Sequence, residues 1–492
     1  MTDLEALQRP AATATTLMTP WTASLERGPG DESHVPLDPP TIVRDLVNQR
    51  RCLPALFGGI LTGLLSCTPT RPPPPASKQE AVEDPDSPSA SRPRATNAAS
   101  PTEVEPSAAS TMARRDRCVA QIPQGTASWV ASVGRAFCTE AATTATGGSS
   151  MAISDGDRLV LSLEVGETCE RSSPPITRET VFRWGSISKV LTTLTVLVSL
   201  EETSGAPLKG SIGRWLPELQ GHWSAGIPLV DLLSHTSGLT GLPAMHTYEN
   251  LDAVLVDIRR LPAPSQVRPA YAYGNVNYVL AAQIVERISS RSWDDAVRET
   301  VLRPLGLDAV RTELDLMAHV PAKSSPPSMA CNRRSDGGQT LEIPIGPDYA
   351  SRLSSRPWLR PAGAVVSDAI SLSTLGALWL STDRTTALSR AAAIMLTPMR
   401  PLATDDPEPV LGHPWWPGVG IYLLGVTTPQ DADRCAPRFH RGEAGAFRAH
   451  LWVFPSCDAS SRRTGGFSLA ILDNAGRPFG ATLATAIGKP PR

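Results

Sequence analysis

Phe182-Arg183-Trp184-Gly185-Ser186-Ile187-Ser188-Lys189 leads into a long apolar stretch, and its reading decides the fold. Val190, Leu191, Leu194, Leu197, Val198 and Leu200 recur mostly at helical spacings, which predicts a helix over 186–202. Ser186 and Lys189 then stand one turn apart on the same face. The helix N-terminus adds partial positive charge and free N–H groups near the serine. Serine is a poor nucleophile until a neighbouring base takes its proton, and a desolvated, neutral lysine can do that. The pattern is short, and a plain helix start with an exposed lysine satisfies it equally well.

Two later stretches add to it. Ala272-Tyr273-Gly274-Asn275 precedes a second apolar helix expected over 274–288. Tyr273 would supply a phenol that shares proton transfer, and Asn275 an amide that grips a substrate carbonyl. Phe439-His440-Arg441-Gly442 opens a predicted strand near the C-terminus. There His440 offers a cationic or hydrogen-bonding edge, and Gly442 lets a substrate backbone lie close. Residues 151–165 alternate like a hairpin with Asp155-Gly156 as its turn. Strands are expected at 445–454 and 466–473, with a closing helix near 480–488. Strands at both ends with helices between predict an α+β fold: an antiparallel sheet flanked by helices, with an inserted, mostly helical subdomain.

The rest of the chain frames this domain. With 46 basic and 48 acidic residues among 492, the net charge of −2 argues against a nucleic-acid partner. Hydrophobic residues at 41% suffice for a large core, and the 47 prolines point to one extended segment. That segment is 68–115, rich in Pro, Ser, Ala and charge and without aromatics, so it reads as a tether. Before it, Arg50-Arg51 precede an uncharged apolar run too short to span a bilayer as a helix, ending in Leu64-Leu65-Ser66-Cys67. That ending resembles the bacterial lipobox, with Cys67 as the lipidated residue. Such a signal belongs at an N-terminus, so translation is expected to start near Val43 or Val47. The expected divisions are therefore 1–66 for start and signal, 67–115 for the tether and 116–492 for the folded domain. The protein would be lipid-anchored in a bacterial envelope, facing the periplasm or exterior. None of the eight cysteines forms a C-x-x-C pair, and the eight histidines show no H-x-H or H-x-x-x-H spacing, so no metal site is expected. With Cys52 removed and Cys67 acylated, six cysteines remain for up to three disulfides, Cys435–Cys457 and Cys118–Cys138 being the expected pairs.

The ordered motifs FRWGSISK, LLSHTSGL (Leu232 to Leu239), YGN, RPAGAVVS (Arg360 to Ser367) and HRGEAGAF (His440 to Phe447) resemble the serine β-lactamase and penicillin-binding-protein superfamily. The resemblance is to its class C β-lactamase-related branch and covers nearly all of 145–490. It implies a β-lactamase/transpeptidase-like fold and a serine hydrolase working through a Ser186 acyl-enzyme. Lys189 and Tyr273 would be the proton-transfer partners, and Asn275 the substrate-amide contact. His440 and Gly442 would replace the outer residues of the family's Lys-Thr-Gly triad. Backbone N–H groups of Ser186 and Glu443 would form the oxyanion hole. No metal or organic cofactor is implied, and the partner would be a small-molecule or peptidoglycan-derived substrate.

The departures concern substrate. A permanent lysine cation is replaced by His440, only partly protonated at neutral pH, so carboxylate recognition should weaken. Esters, amides and D-amino-acid peptide bonds become the expected substrates, ahead of β-lactam antibiotics. The segment Leu208-Lys209-Gly210-Ser211 departs from the family's pattern at a structural turn. Three alternatives stay open at this point. Arg463-Thr464-Gly465 could serve as the third motif, and His440 could pair with Ser186 in a triad. The whole could also be a catalytically silent envelope protein that binds peptidoglycan or a protein partner. Ser234 to Gly238 is expected to be a packed structural loop, and Trp415-Trp416 a rigid loop or a cleft wall.

Overall fold

The computed structural model describes residues 107–488, except 144–146, 170–172, 204–207, 266–269, 313–314, 316–329, 331, 337–338, 344–356, 400–409, 412, 427–434, 458–462 and 477–479. Cys52 and Cys67, and with them the signal and most of the expected tether, lie outside the described residues.

The strands are β1 (Gly148–Asp155), β2 (Arg158–Gly166), β3 (Phe182–Arg183), β4 (Arg311–Thr312), β5 (Asn332–Asp336), β6 (Gln339–Ile343), β7 (Val365–Ser367), β8 (Trp415–Pro417), β9 (Tyr422–Leu424), β10 (Arg438–Ala444), β11 (Phe447–Cys457) and β12 (Arg463–Asp473). The helices are α1 (Ala108–Val119), α2 (Ser128–Ala141), α3 (Ser188–Thr203), α4 (Leu229–Leu233), α5 (Leu251–Ile258), α6 (Asn275–Ser289), α7 (Trp293–Val297), α8 (Arg360–Gly363), α9 (Ala369–Ala377), α10 (Ala387–Met395) and α11 (Ala481–Ile487). The main sheet runs β2-β1-β12-β11-β10-β9-β8, antiparallel in every pair, so the first and last long strands of the domain lie side by side. β3, β7 and β4 make a second small sheet.

Side-chain alternation along the strands sorts the core into two faces. Met151, Ile153, Trp452, Phe454, Leu469 and Ile471 pack with α1, α2 and α11 on one face. Ala152, Leu451, Val453, Ala470 and Leu472 pack with α3, α9 and α10 on the other. β2 is an edge strand whose residues from Leu161 on alternate between buried and half-buried. A third cluster is mostly helical: α4, α5 and α6 gather around Val196 and Leu200 of α3, joined by loop residues such as Leu239 and Val419. α3 therefore belongs to two cores, Leu191, Leu194 and Val198 facing one and Val196 and Leu200 the other, which is why it is apolar all round. Truncating a residue such as Leu194 to alanine costs about 2–5 kcal/mol at a site of this kind. The antiparallel sheet, its flanking helices and the helical insertion agree with the sequence reading.

Four local expectations need correction or completion. The β1–β2 turn is Gly156-Asp157, one residue later than expected, because Asp155 pairs with Arg158 and the register slips between Ile153 and Ser154. Gly156 takes φ +60 there. α1 begins at Ala108, inside the stretch assigned to the tether by composition. Its Ser107 cap accepts from the Ser110 N–H, and alanine, abundant in tethers, is also the best helix former. Trp415 and Trp416 form strand β8, each 8% exposed, and Trp415 packs on Tyr271, Tyr422 and Phe439. Both expected disulfides are present, Cys118–Cys138 joining α1 to α2 and Cys435–Cys457 tying the start of β10 to the end of β11. Cys169 is disulfide-bonded as well.

Candidate active site

The 3-10 turn Gly185–Ile187 continues into α3 and carries Ser186 at its centre. Three contacts fix this turn: the Trp184 N–H donates to the Val365 carbonyl at 2.8 Å, Ser188 Oγ donates to the Gly185 carbonyl at 2.7 Å, and the Val365 N–H donates to Ser188 Oγ at 3.1 Å. β10 lies directly against it. A Cβ on Gly442 would fall 1.9 Å from the Trp184 carbonyl oxygen and 3.0 Å from the Ser186 nitrogen, and one on Gly185, at φ +50, would fall 2.7 Å from the Glu443 nitrogen. Both positions need glycine for this close approach. The backbone amides of Ser186 and Glu443 consequently border the same narrow gap.

Lys189 is 0% exposed, and its Nζ donates to Ser186 Oγ at 3.0 Å and to the Ala362 carbonyl at 2.6 Å. The aromatic faces of Tyr273 and Tyr278 lie 5.0 and 5.7 Å from the nitrogen. Among the described residues no carboxylate pairs with it, and desolvation brings its pKa down to about 7. Tyr273 OH donates to Ser186 Oγ at 2.7 Å. The residue as a whole is 37% exposed, while desolvation of the hydroxyl, only partly opposed by the Ser186 hydrogen bond, raises the phenol pKa. Ser186 thus sits between a lysine that can lose its proton near neutrality and a tyrosine that keeps its own.

Asn275 begins α6 two residues beyond Tyr273, half-buried, and its side chain bonds to none of the described residues. His440 is 2% exposed, stacks on Tyr422 at 5.1 Å and donates from Nδ1 to the Arg441 carbonyl at 2.8 Å. Burial first, then the nearby Lys189 charge, pushes its pKa down to about 3. Burial thus favours the neutral imidazole over the partial protonation expected of an ordinary histidine. It also makes no hydrogen bond to Ser186, whose Oγ is met by Lys189 and Tyr273. Arg463 to Gly465 begin β12 and pair with Ser456 and Cys457 at the far end of β11, whereas His440 and Gly442 pair with Leu451 and Ala449. The residues that lie against the Ser186 turn are Gly442 and Glu443.

The sequence missed the part played by His235. Ser234 to Ser237 are buried, as expected of a packed loop. The His235 ring also lies 4.4 Å from the Tyr273 ring, and its Nδ1 accepts from the Gly274 N–H at 3.2 Å and Asn277 Nδ2 at 3.1 Å. Its carbonyl accepts from the Ala272 N–H at 2.7 Å. Burial holds its pKa well below the ordinary value, so one neutral imidazole in a left-handed backbone conformation, φ 57, braces the loop that aims Tyr273. Nothing local in Ser-His-Thr-Ser announces this, because its partners come 37 to 42 positions later. A groove of about 600 Å³ between α2 and α11 is lined by residues such as Ser132, Arg135 and Thr485, and includes none of the site residues.

Among solved structures, a class C beta lactamase from Rhodobacter sphaeroides resembles the chain with a TM-score of 0.55 and 19% identity, covering 73% of this chain and 98% of that one. Teichoic acid D-alanine hydrolase of Staphylococcus aureus is 28% identical over 158 residues, 32% of this chain and 39% of that protein. A penicillin-binding protein of Bacillus subtilis is 27% identical over 147 residues, 28% of this chain and 32% of that protein. The chain thus spans about a third of the length of the curated relatives it matches. The Beta-lactamase family matches across residues 117–484, which includes α3, the Tyr273 loop and β10, and the chain belongs to that family.

Proposed function

We propose that this domain is a serine hydrolase that forms an acyl-enzyme on Ser186 and cleaves ester, amide or D-amino-acid peptide bonds. The observation that carries the reading is Lys189: fully buried, without a carboxylate partner among the described residues, and 3.0 Å from a serine hydroxyl that a phenol also touches. A surface that only binds has no chemical use for a desolvated lysine at that place. With its amine neutral, the Nζ lone pair turns to the Ser186 proton as Oγ bonds to the substrate carbonyl carbon. The Ser186 and Glu443 N–H groups would hold the resulting oxyanion. As the tetrahedral adduct collapses, the bond to the leaving alcohol or amine breaks. Tyr273 gives that group its proton and regains one from Lys189. Water then attacks the acyl-enzyme, giving a proton back through the same pair and restoring the Ser186 hydroxyl. Asn275 would hold the acyl-side amide. The neutral His440 supports substrates whose recognition does not need a permanent cation.

Relatives named for penicillin binding and for removal of D-alanine from teichoic acid support a place in the bacterial envelope. No helix among the described residues is long and apolar enough to cross a membrane, and the Cys67 lipid anchor is the proposed attachment. Cys67→Ser should release the full-length protein from the membrane fraction; retention would remove the anchor from this reading. For the chemistry, Ser186→Ala should abolish covalent labelling by a fluorophosphonate or a fluorescent penicillin and lower turnover by at least about a thousandfold. Equal labelling of a folded Ser186→Ala protein would overturn the assignment. A wild type that never labels or turns over would favour a silent binding protein.

A further inference from the structure

α8 spans Arg360–Gly363 and has proline at its second position, too short to hold its own geometry. Yet its Ala362 carbonyl accepts the shorter of the two Lys189 hydrogen bonds, at 2.6 Å. The position of α8 therefore depends on its neighbours, and one dipeptide grips it from two sides. Asp294 Oδ2 pairs with Arg360 Nη2 at 2.8 Å, each side chain 14% exposed. Trp293 Nε1 donates to Thr192 Oγ1 at 3.1 Å, and that hydroxyl donates to the Pro361 carbonyl at 2.9 Å. Residues 360, 361 and 362 are thus held in turn by an ion pair, a hydroxyl relay and the lysine.

We propose that Asp294 is a positioning residue of the active site: through Arg360 it holds α8 so that the Ala362 carbonyl keeps Lys189 Nζ against the Ser186 hydroxyl. The inference rests on the serine-hydrolase reading of that site. A largely desolvated ion pair contributes little net stability compared with apolar side chains of similar size, so its use here is geometric. Arg360 is the nearest cation to Asp294; Arg298, Asp295 and Asp315 also face it. Around Lys189 stand Ser186, Tyr273, Tyr278, His235 and His440, none of which carries a charge that could substitute for the carbonyl.

Lys189 is one of five lysines in the sequence, so its amine can be followed directly by NMR of 15N-labelled lysine side chains, with no substrate present. In the full chain, Asp294→Asn should move its titration midpoint below the value of about 7, by about half a pH unit or more, because a carbonyl that favours the ammonium form has shifted. The kcat for nitrophenyl acetate should fall about ten- to a hundredfold with KM within about twofold, since displacement near 1 Å costs that much. The pair Asp294→Leu with Arg360→Met should recover thermal stability and leave kcat low. An unchanged Lys189 midpoint in Asp294→Asn, or a kcat that returns with stability in the double variant, would overturn the proposal. A wild type that titrates near 7 yet hydrolyses no ester would sink the hydrolase reading instead, while the NMR comparison still decides the role of Asp294.

Discussion

Lys189 and His440 are two basic side chains buried at one site, and burial does opposite things for them. Desolvation is the main cause that lowers both pKa values, bringing Lys189 from 10.5 down to about 7 and, with the nearby Lys189 charge, His440 from 6.5 down to about 3. For the lysine, that brings the amine to the point where it can take and return a proton near neutral pH. For the histidine it removes the one property, a charge near neutrality, for which histidine is usually placed in a site. A buried base is useful when its starting pKa lies well above the working pH. The histidine remains as a stacked wall beside the Ser186 hydroxyl, which bonds instead to Lys189 and Tyr273.

The largest test of this contrast is at the lysine. Lys189→Ala should lower kcat/KM by about a thousandfold, nearly as much as loss of Ser186, and the two losses should not add because the residues act as one proton-transfer unit. In the wild type, log kcat/KM should fall as pH drops below about 7, because activity needs the neutral amine. A rate that stays flat down to about pH 5 would mean that the base is not Lys189.

How much of this was readable beforehand follows from where the partners sit in the chain. The Ser186–Lys189 pair could be read because three helical residues suffice to bring its two atoms together, and the long apolar run fixed the helix. At Gly442 the sequence expects room for a substrate backbone, whereas the group that lies closest is the Trp184 carbonyl oxygen, a tertiary contact that the local pattern does not carry. The neutrality of His440 could not, because it depends on Tyr422 and on the depth of the cleft, which no local pattern carries. The same holds for His235 under Tyr273 and for Asp294 on Arg360, each joined to its partner by tertiary packing alone. α1 was missed for a different reason: a short Ala- and Ser-rich segment satisfies both a tether and a helix, and only its packing decides. Cys118, buried and bonded to Cys138, supplies that packing.

A middle-sized effect separates the two bases through stability. In the folded chain His440 takes up a proton only near pH 3, while in the unfolded chain it does so near 6.5. Its depressed pKa therefore means that stability is lost as pH falls through that window. Between about pH 6.5 and pH 5 this amounts to about 2 kcal/mol. His440→Gln stays neutral in both states, so its loss of stability between about pH 7.5 and pH 5 should be smaller than that of the wild type by about this amount, read from urea unfolding. His235 and His450, also depressed by burial, remain in both proteins and do not affect the difference. Equal losses in the two proteins would show that His440 is charged in the fold, and the contrast with Lys189 would collapse.

The smallest expected effect is a change in selectivity. His440→Lys puts back a basic group whose starting pKa is high enough to survive much of the desolvation that silences the imidazole. The price is crowding, because the new ammonium would lie near Lys189 and should lower the pKa of that amine further. Two readouts follow from one substitution. The ratio of kcat/KM for a carboxylate-bearing cephalosporin to that for a neutral nitrophenyl ester should rise severalfold, about one kcal/mol of new recognition at a partly buried site. At the same time, the acid limb of the ester profile should move to lower pH. A higher ratio with an unmoved limb would place the new charge on the substrate path but away from Lys189. An unchanged or lower ratio in a folded protein would mean that position 440 does not face the substrate's carboxylate at all. The neutral wall would then shape the cleft through its stacking on Tyr422 alone.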